Sequence, residues 1–97
     1  MQTLVYNNLS EREIINLAKT DKGAQQQIII KYKSLVYKIA LYYVNIGLNS
    51  NFDLEDLIQE GYMGLLEAIK YYDNEQNVKF ITYAHKTIRR YIMRKID

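Results

Sequence analysis

The 97-residue sequence predicts an all-α fold, a compact helical bundle of about four helices. Three observations lead there. Proline is absent and glycine occurs only at positions 23, 47, 61 and 64, so the punctuation that strands and tight turns require is scarce. No run of strand length alternates apolar and polar residues. Apolar residues instead recur three and four apart in segments separated by short polar breaks, the pattern of helices with one buried stripe.

Length and composition bound the class further. Ninety-seven residues suit one small domain, near the size at which a single core stands without staples. There is no cysteine, hence no disulfide framework and no thiolate metal site, which fits a reducing cytosol. The N-terminus lacks a basic segment followed by an apolar run, and no apolar stretch approaches the ~20 residues that cross a bilayer. A soluble, cytoplasmic chain with no membrane role is expected. The net charge of +2 says little about nucleic acid; its distribution along the chain says more.

Residues 1–9 are polar and uncapped and read as a flexible lead-in. Ser10-Glu11-Arg12-Glu13 then has the form of a capping box, in which the serine hydroxyl serves the Glu13 amide and Glu13 reaches back. A first helix is predicted over 11–19, packing Ile14, Leu17 and Ala18. It ends near Asp21-Lys22-Gly23, where Asp21 caps the next helix. That second helix is long, 22–45, with Ile28, Tyr32, Leu35, Val36, Ile39, Ala40 and Tyr43 inward. Lys31, Lys33 and Lys38 form its solvated face, with contacts to a DNA backbone as the alternative. Gly47 stops the helix and Asn49-Ser50-Asn51 is a linker.

A third helix runs over 53–72. Asp53 caps it, and Glu55 and Asp56 favour the positive end of its dipole. Leu54, Leu57, Ile58, Gly61, Leu65, Ala68, Ile69 and Tyr72 form its buried stripe. Asp56, Gln59, Glu60 and Glu67 lie opposite, with Met63 and Leu66 set among them. Gly61 and Gly64 each cost a helix interior about 1 kcal/mol relative to alanine. Since Gly61 is on the buried stripe, the close approach of a neighbouring helix is the expected compensation. Residues 73–78 make a turn, and Thr82 caps a last helix over 82–96. Ile81, Ala84, Ile88, Tyr91 and Ile92 are its inward stripe. Tyr83, Lys86, Arg90 and Met93 are its outward one, with Thr87, Arg89 and Arg94 at the margins.

The two C-terminal segments carry opposite charge. Residues 53–75 hold seven acids against one base, and residues 79–97 hold six bases against one acid. An aromatic ring or thioether on such a face is idle in many proteins. The sign change between adjacent helices suggests instead two different partners.

The string Asp56-Leu57-Ile58-Gln59-Glu60-Gly61, then Gly64-Leu65 and Ala68, a break, and Lys79-Phe80 with Thr82-Tyr83-Ala84 and Ile88-Arg89 resembles region 2 of the bacterial sigma-70 family. The likeness is close over 53–96 and looser over 9–40. It implies a sigma region 2-like helical domain over 10–97, belonging to a promoter-recognition subunit of bacterial RNA polymerase or to a piece of one. Such a protein docks on the polymerase core and recognises and helps melt the minus-ten promoter element.

The resemblance also implies roles. The acidic helix docks on a coiled coil of the polymerase beta-prime subunit through Asp56, Gln59, Glu60, Tyr62, Met63 and Leu66. A small apolar spot there supplies desolvated contact while carboxylates select a basic partner. The basic helix takes promoter DNA, including the unpaired nontemplate strand of the minus-ten element, through Lys79, Phe80, Thr82, Tyr83, Lys86, Thr87, Arg89, Arg90, Met93 and Arg94. Tyr83 is the first choice for stacking on a flipped base. Phe80 either joins it or plugs the core. Lys79, Lys86, Arg89, Arg90 and Arg94 hold phosphates, and Arg90 stands where the family reads the upstream duplex edge, with bidentate guanine contact in its chemistry. An anti-sigma factor is a further expected partner.

One departure is informative. Where primary members carry adjacent tryptophans, this chain has Lys86 and Thr87. Without that wedge, weaker melting and a nonstandard promoter are expected, as in an alternative member, and Met93 points the same way.

Other function classes fit less well. His85 is the only histidine and the carboxylates lie on one exposed helix, so neither an enzyme nor a cofactor site is expected. A helix-turn-helix repressor requires a shorter turn than the break over 73–78. The stronger rival is a helical adaptor or split sigma co-factor that binds polymerase without reading promoter DNA. Met1 reads as a natural start and Asp97 falls abruptly within a basic helix, so a truncated factor is expected, with a split one as the alternative.

Overall fold

The helix starts fall at the caps. In a computed structural model, which describes residues 6–46, 52–73 and 77–96, helix α1 spans Glu11–Ala18. Ser10 Oγ accepts the Glu13 amide at 3.1 Å, and the Glu13 carboxylate accepts the Ser10 amide at 2.8 Å. Helix α2, Lys22–Lys31, opens on Asp21, whose carboxylate accepts the Ala24 amide at 2.8 Å. Helix α3 is Lys33–Asn45. Helix α4, Leu54–Tyr71, opens on a reciprocal pair, Asp53 accepting the Asp56 amide at 2.9 Å and Asp56 the Asp53 amide at 3.3 Å. Helix α5 is Phe80–Ile96. The expected Gly47 stop, the linker at Asn49-Ser50-Asn51, the middle of the turn after α4, and residues 1–5 and 97 lie outside the described residues.

The all-helical class holds, with five helices within the described residues where about four were expected. The extra one comes from the segment 22–45, which is two helices meeting at Tyr32 (φ −102°, ψ 12°). No proline or glycine stands at the bend. The tyrosine is held from two other elements: its phenol donates to Glu11 at 2.7 Å and its ring lies 5.4 Å from Phe80. The helical hydrogen bonds continue on either side, Tyr32 N–H to Ile28 and Val36 N–H to Tyr32. Tertiary contacts thus bend a segment that is locally uniform.

Helices α3, α4 and α5 pack on one another, while α1 pairs with α2 and both lean on α4. Ile15, Ile28, Val36, Leu57, Leu65, Ile69, Ile88 and Ile92 form the dry centre. The expected stripe of α4 is buried or half-buried throughout. Two assignments are corrected. In α1 the buried residues are Ile15 and Ala18, Ile14 is half-buried and Leu17 is exposed, because α2 and α4 cover a face rotated by less than a quarter turn from the one expected. Ile81, expected inside, is 47% exposed.

Close packing explains both interior glycines of α4, against α5 at Gly64 and chiefly against Val36 of α3 at Gly61. A Cβ on Gly64 would stand 2.8 Å from Ile88 Cα and from the Thr87 carbonyl oxygen, so the two backbones touch there. On Gly61 it would meet Val36 Cγ1 at 2.7 Å. Dispersion along these contacts offsets the propensity cost of two helical glycines.

The N-terminal half is held differently. Tyr6 belongs to the lead-in expected to be flexible, yet its side chain is buried and donates to Asp21 at 2.6 Å. Glu11 accepts from both Lys31 and Tyr32. Lys19 Nζ donates to the carbonyls of Ile69, Lys70 and Tyr72 at 2.9, 3.1 and 2.7 Å, closing the C-terminal end of α4, where carbonyls lack intrahelical partners.

Candidate functional site

The two outer faces of the α4–α5 pair differ in how much of each is free. On α4, Asp56 and Gln59 are exposed and Glu60 is half-buried. Met63 is 55% and Leu66 37% exposed, side by side one turn apart. Tyr62, expected with them, packs partly against the core. Tyr71, which the sequence reading left out, is 58% exposed and extends the same apolar spot. Met63, Leu66, Glu67, Lys70, Tyr71 and Tyr91 line a shallow hollow of about 280 Å³ there. Its signal in the sequence was the spacing 63, 67, 71, masked because the neighbouring Tyr72 had already been taken for the buried stripe.

On α5 the expected residues divide. Lys79, Thr82, Lys86, Arg89, Arg90, Met93 and Arg94 are exposed. Phe80 is only 3% exposed, its ring packed against Tyr32 and Tyr72, so the core-plug alternative is the one realised. Thr87 is 2% exposed and its hydroxyl donates to the Tyr83 carbonyl at 3.0 Å. Both are corrected: neither is placed to touch a ligand, because α5 is rotated to bring its backbone at Thr87 and Ile88 against Gly64. Thr82 is not the cap; α5 begins at Phe80, and the Lys79 carbonyl takes the first helical bond from the Tyr83 amide.

Tyr83 is half-buried, with its ring 5.5 Å from that of Tyr72. Beyond it, two open hollows share Lys86 and Arg89. One, of about 380 Å³, adds Ile81, Thr82 and His85; the other, of about 430 Å³, adds Arg90, Met93 and Arg94. Ile81 and His85 are therefore part of this surface, although periodicity placed Ile81 inside. A third cleft, of about 350 Å³, lies where α1 meets the start of α5, with Tyr72 and Phe80 beside Glu11, Arg12 and Lys79.

A network joins the two faces. Glu67 of α4 accepts from Arg90 and from the Tyr91 phenol of α5. The hydrogen bond to that carboxylate holds the Tyr91 phenol above the ordinary tyrosine range. Arg94 lies over the Tyr91 ring, 4.9 Å from its centre. Arg90, expected to read DNA, thus has an internal partner.

Among the described residues no group of three or more histidines, cysteines or acids is placed to hold a metal, and no helix is long and apolar enough to cross a membrane.

Comparison with known proteins gives the family. The family model for sigma-70 region 2 matches residues 28–97. The RNA polymerase sigma factor RpoS of Coxiella burnetii is 41% identical over 92 residues, which cover 91% of this chain and 25% of that protein. The RNA polymerase sigma factor SigA of Synechocystis is 41% identical over 76 residues, 78% of this chain and 17% of that one. The RNA polymerase sigma factor FliA of Pseudomonas aeruginosa is 43% identical over 68 residues, 70% and 27% respectively. The chain thus spans about a quarter or less of the length of the curated relatives it matches. With the helical fold, the glycine-tight α4–α5 seam and a family match over more than half of its residues, the chain belongs to the sigma-70 family and carries its region 2.

Proposed function

We propose that the chain acts as region 2 of a sigma factor in transcription initiation, a non-catalytic part that binds bacterial RNA polymerase in the cytoplasm and recognises promoter DNA. The observation that carries the reading is the pairing of opposite outer faces on two helices locked backbone to backbone. The α4 face offers Met63, Leu66 and Tyr71 beside Glu67 and Lys70, with Asp56 and Glu60 toward the start of the helix. The α5 face offers Tyr83 among Lys79, Lys86, Arg89 and Arg94.

In finer detail, the α4 face docks on a basic coiled coil of the beta-prime subunit. Three exposed apolar side chains supply the contact, and Gln59 and Glu60 set its register. The α5 face takes the nontemplate strand of the minus-ten element. Tyr83 stacks on an unpaired base, worth about 1–3 kcal/mol, while Lys86, Arg89 and Arg94 follow the phosphates. Few phosphate contacts make this grip weak and salt-sensitive in the isolated chain. Lys86 and the buried Thr87 provide no aromatic wedge, so melting relies on the rest of the polymerase, as suits an alternative sigma factor. An anti-sigma factor covering either face fits the same surfaces.

A polymerase-binding adaptor that does not read promoter DNA is the second reading. The Glu67–Arg90 contact and the burial of Phe80 and Thr87 favour it, since they remove three of the expected DNA contacts. One experiment decides between them. Met63→Asp is expected to abolish co-purification with polymerase core, and Tyr83→Ala to weaken binding to forked minus-ten DNA about tenfold or more with core binding intact. Promoter binding of the polymerase complex that is indifferent to Tyr83→Ala would favour the adaptor.

A further inference from the structure

Ten residues of the chain are tyrosine, and those of the α4–α5 hairpin differ sharply in how they are held. Tyr72 follows the last turn of α4, a place where side chains are ordinarily loose. Here it is fixed at each polar group. Its N–H donates to the Ala68 carbonyl at 2.9 Å, its carbonyl accepts from Lys19 Nζ at 2.7 Å, and its phenol donates to the Val78 carbonyl at 2.6 Å.

Its ring is fixed as well. It stands edge-on to Phe80, with centres 5.2 Å apart and planes at 85°. Phe80 in turn lies 5.4 Å from Tyr32, whose phenol is anchored on Glu11. Tyr72 also meets Tyr83 at 5.5 Å and 50°. Of these four rings, Tyr32, Phe80 and Tyr72 are buried and only Tyr83 is left half-exposed. The row therefore starts at a carboxylate on α1, crosses the core, and ends at one ring on the surface.

We propose that Tyr72 is a positioning residue that holds the Tyr83 ring in the orientation in which it stacks on an unpaired base; this rests on the reading of α5 as the surface for single-stranded promoter DNA. A free tyrosine samples several rotamers, and binding must restrict them. A ring already set against a neighbour whose own ring and hydroxyl are fixed loses less freedom when a base arrives. Tyr72 is buried and touches no nucleic acid itself; it acts through Tyr83.

The test is a double-mutant cycle in the chain assembled with bacterial RNA polymerase core. The probe is a forked DNA carrying 2-aminopurine in its unpaired strand. Tyr83→Ala is expected to weaken strand binding about tenfold or more and to remove the stacking quench. Tyr72→Leu is expected to weaken it about three- to tenfold, Tyr72→Phe about twofold or less, with core affinity unchanged in both. On the Tyr83→Ala background, Tyr72→Leu is expected to add nothing, which a merely structural role would not produce. Equal losses on both backgrounds, or a silent Tyr72→Leu beside an effective Tyr83→Ala, would overturn the inference and leave the stacking reading standing. A silent Tyr83→Ala would overturn the stacking reading and this inference with it. Should Tyr72→Leu lose its helical circular dichroism, Tyr72→Met takes its place in the cycle, and the NMR ring resonances of Tyr83 in that variant decide. Movement toward random-coil shifts supports the inference, and unchanged shifts reject it.

Discussion

The two halves of this domain are held together by different chemistry. The α4–α5 hairpin is joined by an apolar seam so close that glycine is the only residue that fits at Gly64, with Leu65, Ile69, Ile88 and Ile92 filling the space around it. The α1–α2 end is pinned to its surroundings by long-range polar contacts: Tyr6 to Asp21, Tyr32 and Lys31 to Glu11, and Lys19 to the end of α4. The difference teaches where each half is vulnerable. A dry seam responds to volume, and polar pins respond to charge and pH. The proposed DNA and polymerase faces both ride on the volume-sensitive half, so their relative orientation rests mainly on packing, with the Glu67–Arg90 pair at its margin.

The largest expected effect breaks the seam. Gly64→Ala is expected to cost about 2–3 kcal/mol net, since its Cβ meets backbone atoms that cannot rotate away, against the ~1 kcal/mol that alanine gains in a helix. Gly61→Ala, which meets a valine side chain, is expected to cost about 1 kcal/mol. Urea denaturation of both variants tests the order, and a Gly61 cost exceeding that of Gly64 would mean that the seam is misplaced.

A smaller loss comes from pulling a pin. Burial holds the Lys19 ammonium below the ordinary lysine range, with Asp73 opposing, so part of its hydrogen-bond gain is already offset. Lys19→Met is expected to cost about 1–2 kcal/mol and to fray the last turn of α4, visible as faster amide exchange at Tyr72.

Glu67 sits at the margin of the seam and shares the chemistry of the pins. Glu67→Gln is expected to cost about 1 kcal/mol or less, because its pair with Arg90 is partly solvent-exposed. Freed of that partner, Arg90 is expected to raise the salt-sensitive affinity of the α5 face for single-stranded DNA by about threefold or less, measured by titration at two salt concentrations.

The smallest effect is the pH response, and it should fall mainly on the α1–α2 end. Burial pushes the Glu11 carboxyl up, but hydrogen bonds from Lys31 and Tyr32 outweigh it and hold the group below its ordinary 4.5. The Tyr6 hydroxyl and the Ala24 amide hold Asp21 below 3.8. Depressed carboxyl values mean that this stability is present above about pH 4.5 and lost as pH falls through the folded values. Tyr32, raised by burial and by Glu11, and Tyr6, raised by its bond to Asp21, act oppositely: their contribution is present below pH 10 and lost above it. Amide exchange at about pH 3.5 is expected to quicken in α1 before α5, and simultaneous loosening would erase the contrast between the halves.

Much of the fold was legible in residue order. Ser10, Asp21 and Asp53 marked three helix starts because a cap is a contact between residues three apart. The α4 stripe was legible because one face of that helix is covered along its whole length. What was not legible depends on contacts between distant segments. The bend at Tyr32 follows from Glu11 and Phe80 pulling on one side chain, with no local breaker to announce it. The burial of Phe80 and Thr87 and the exposure of Ile81 follow from the rotation of α5 about its axis. Periodicity leaves that rotation open, because apolar and small residues flank the stripe on both sides. In the candidate site, Met63, Leu66 and the cations were visible as residues on the wrong face for a core. Tyr71 was hidden by its neighbour, and the Glu67–Arg90 partnership by a separation of 23 residues.

Taken alone, the sequence determined the helical class, three caps, the charge split between the last two helices and the motif that carries the family, because each depends on residues within a few turns of one another. The tertiary structure alone decided which flank of α5 faces inward, where the segment 22–45 bends, and which polar groups close α4. Those outcomes depend on how near two backbones approach, and at Gly64 the approach is limited only by the absence of a side chain.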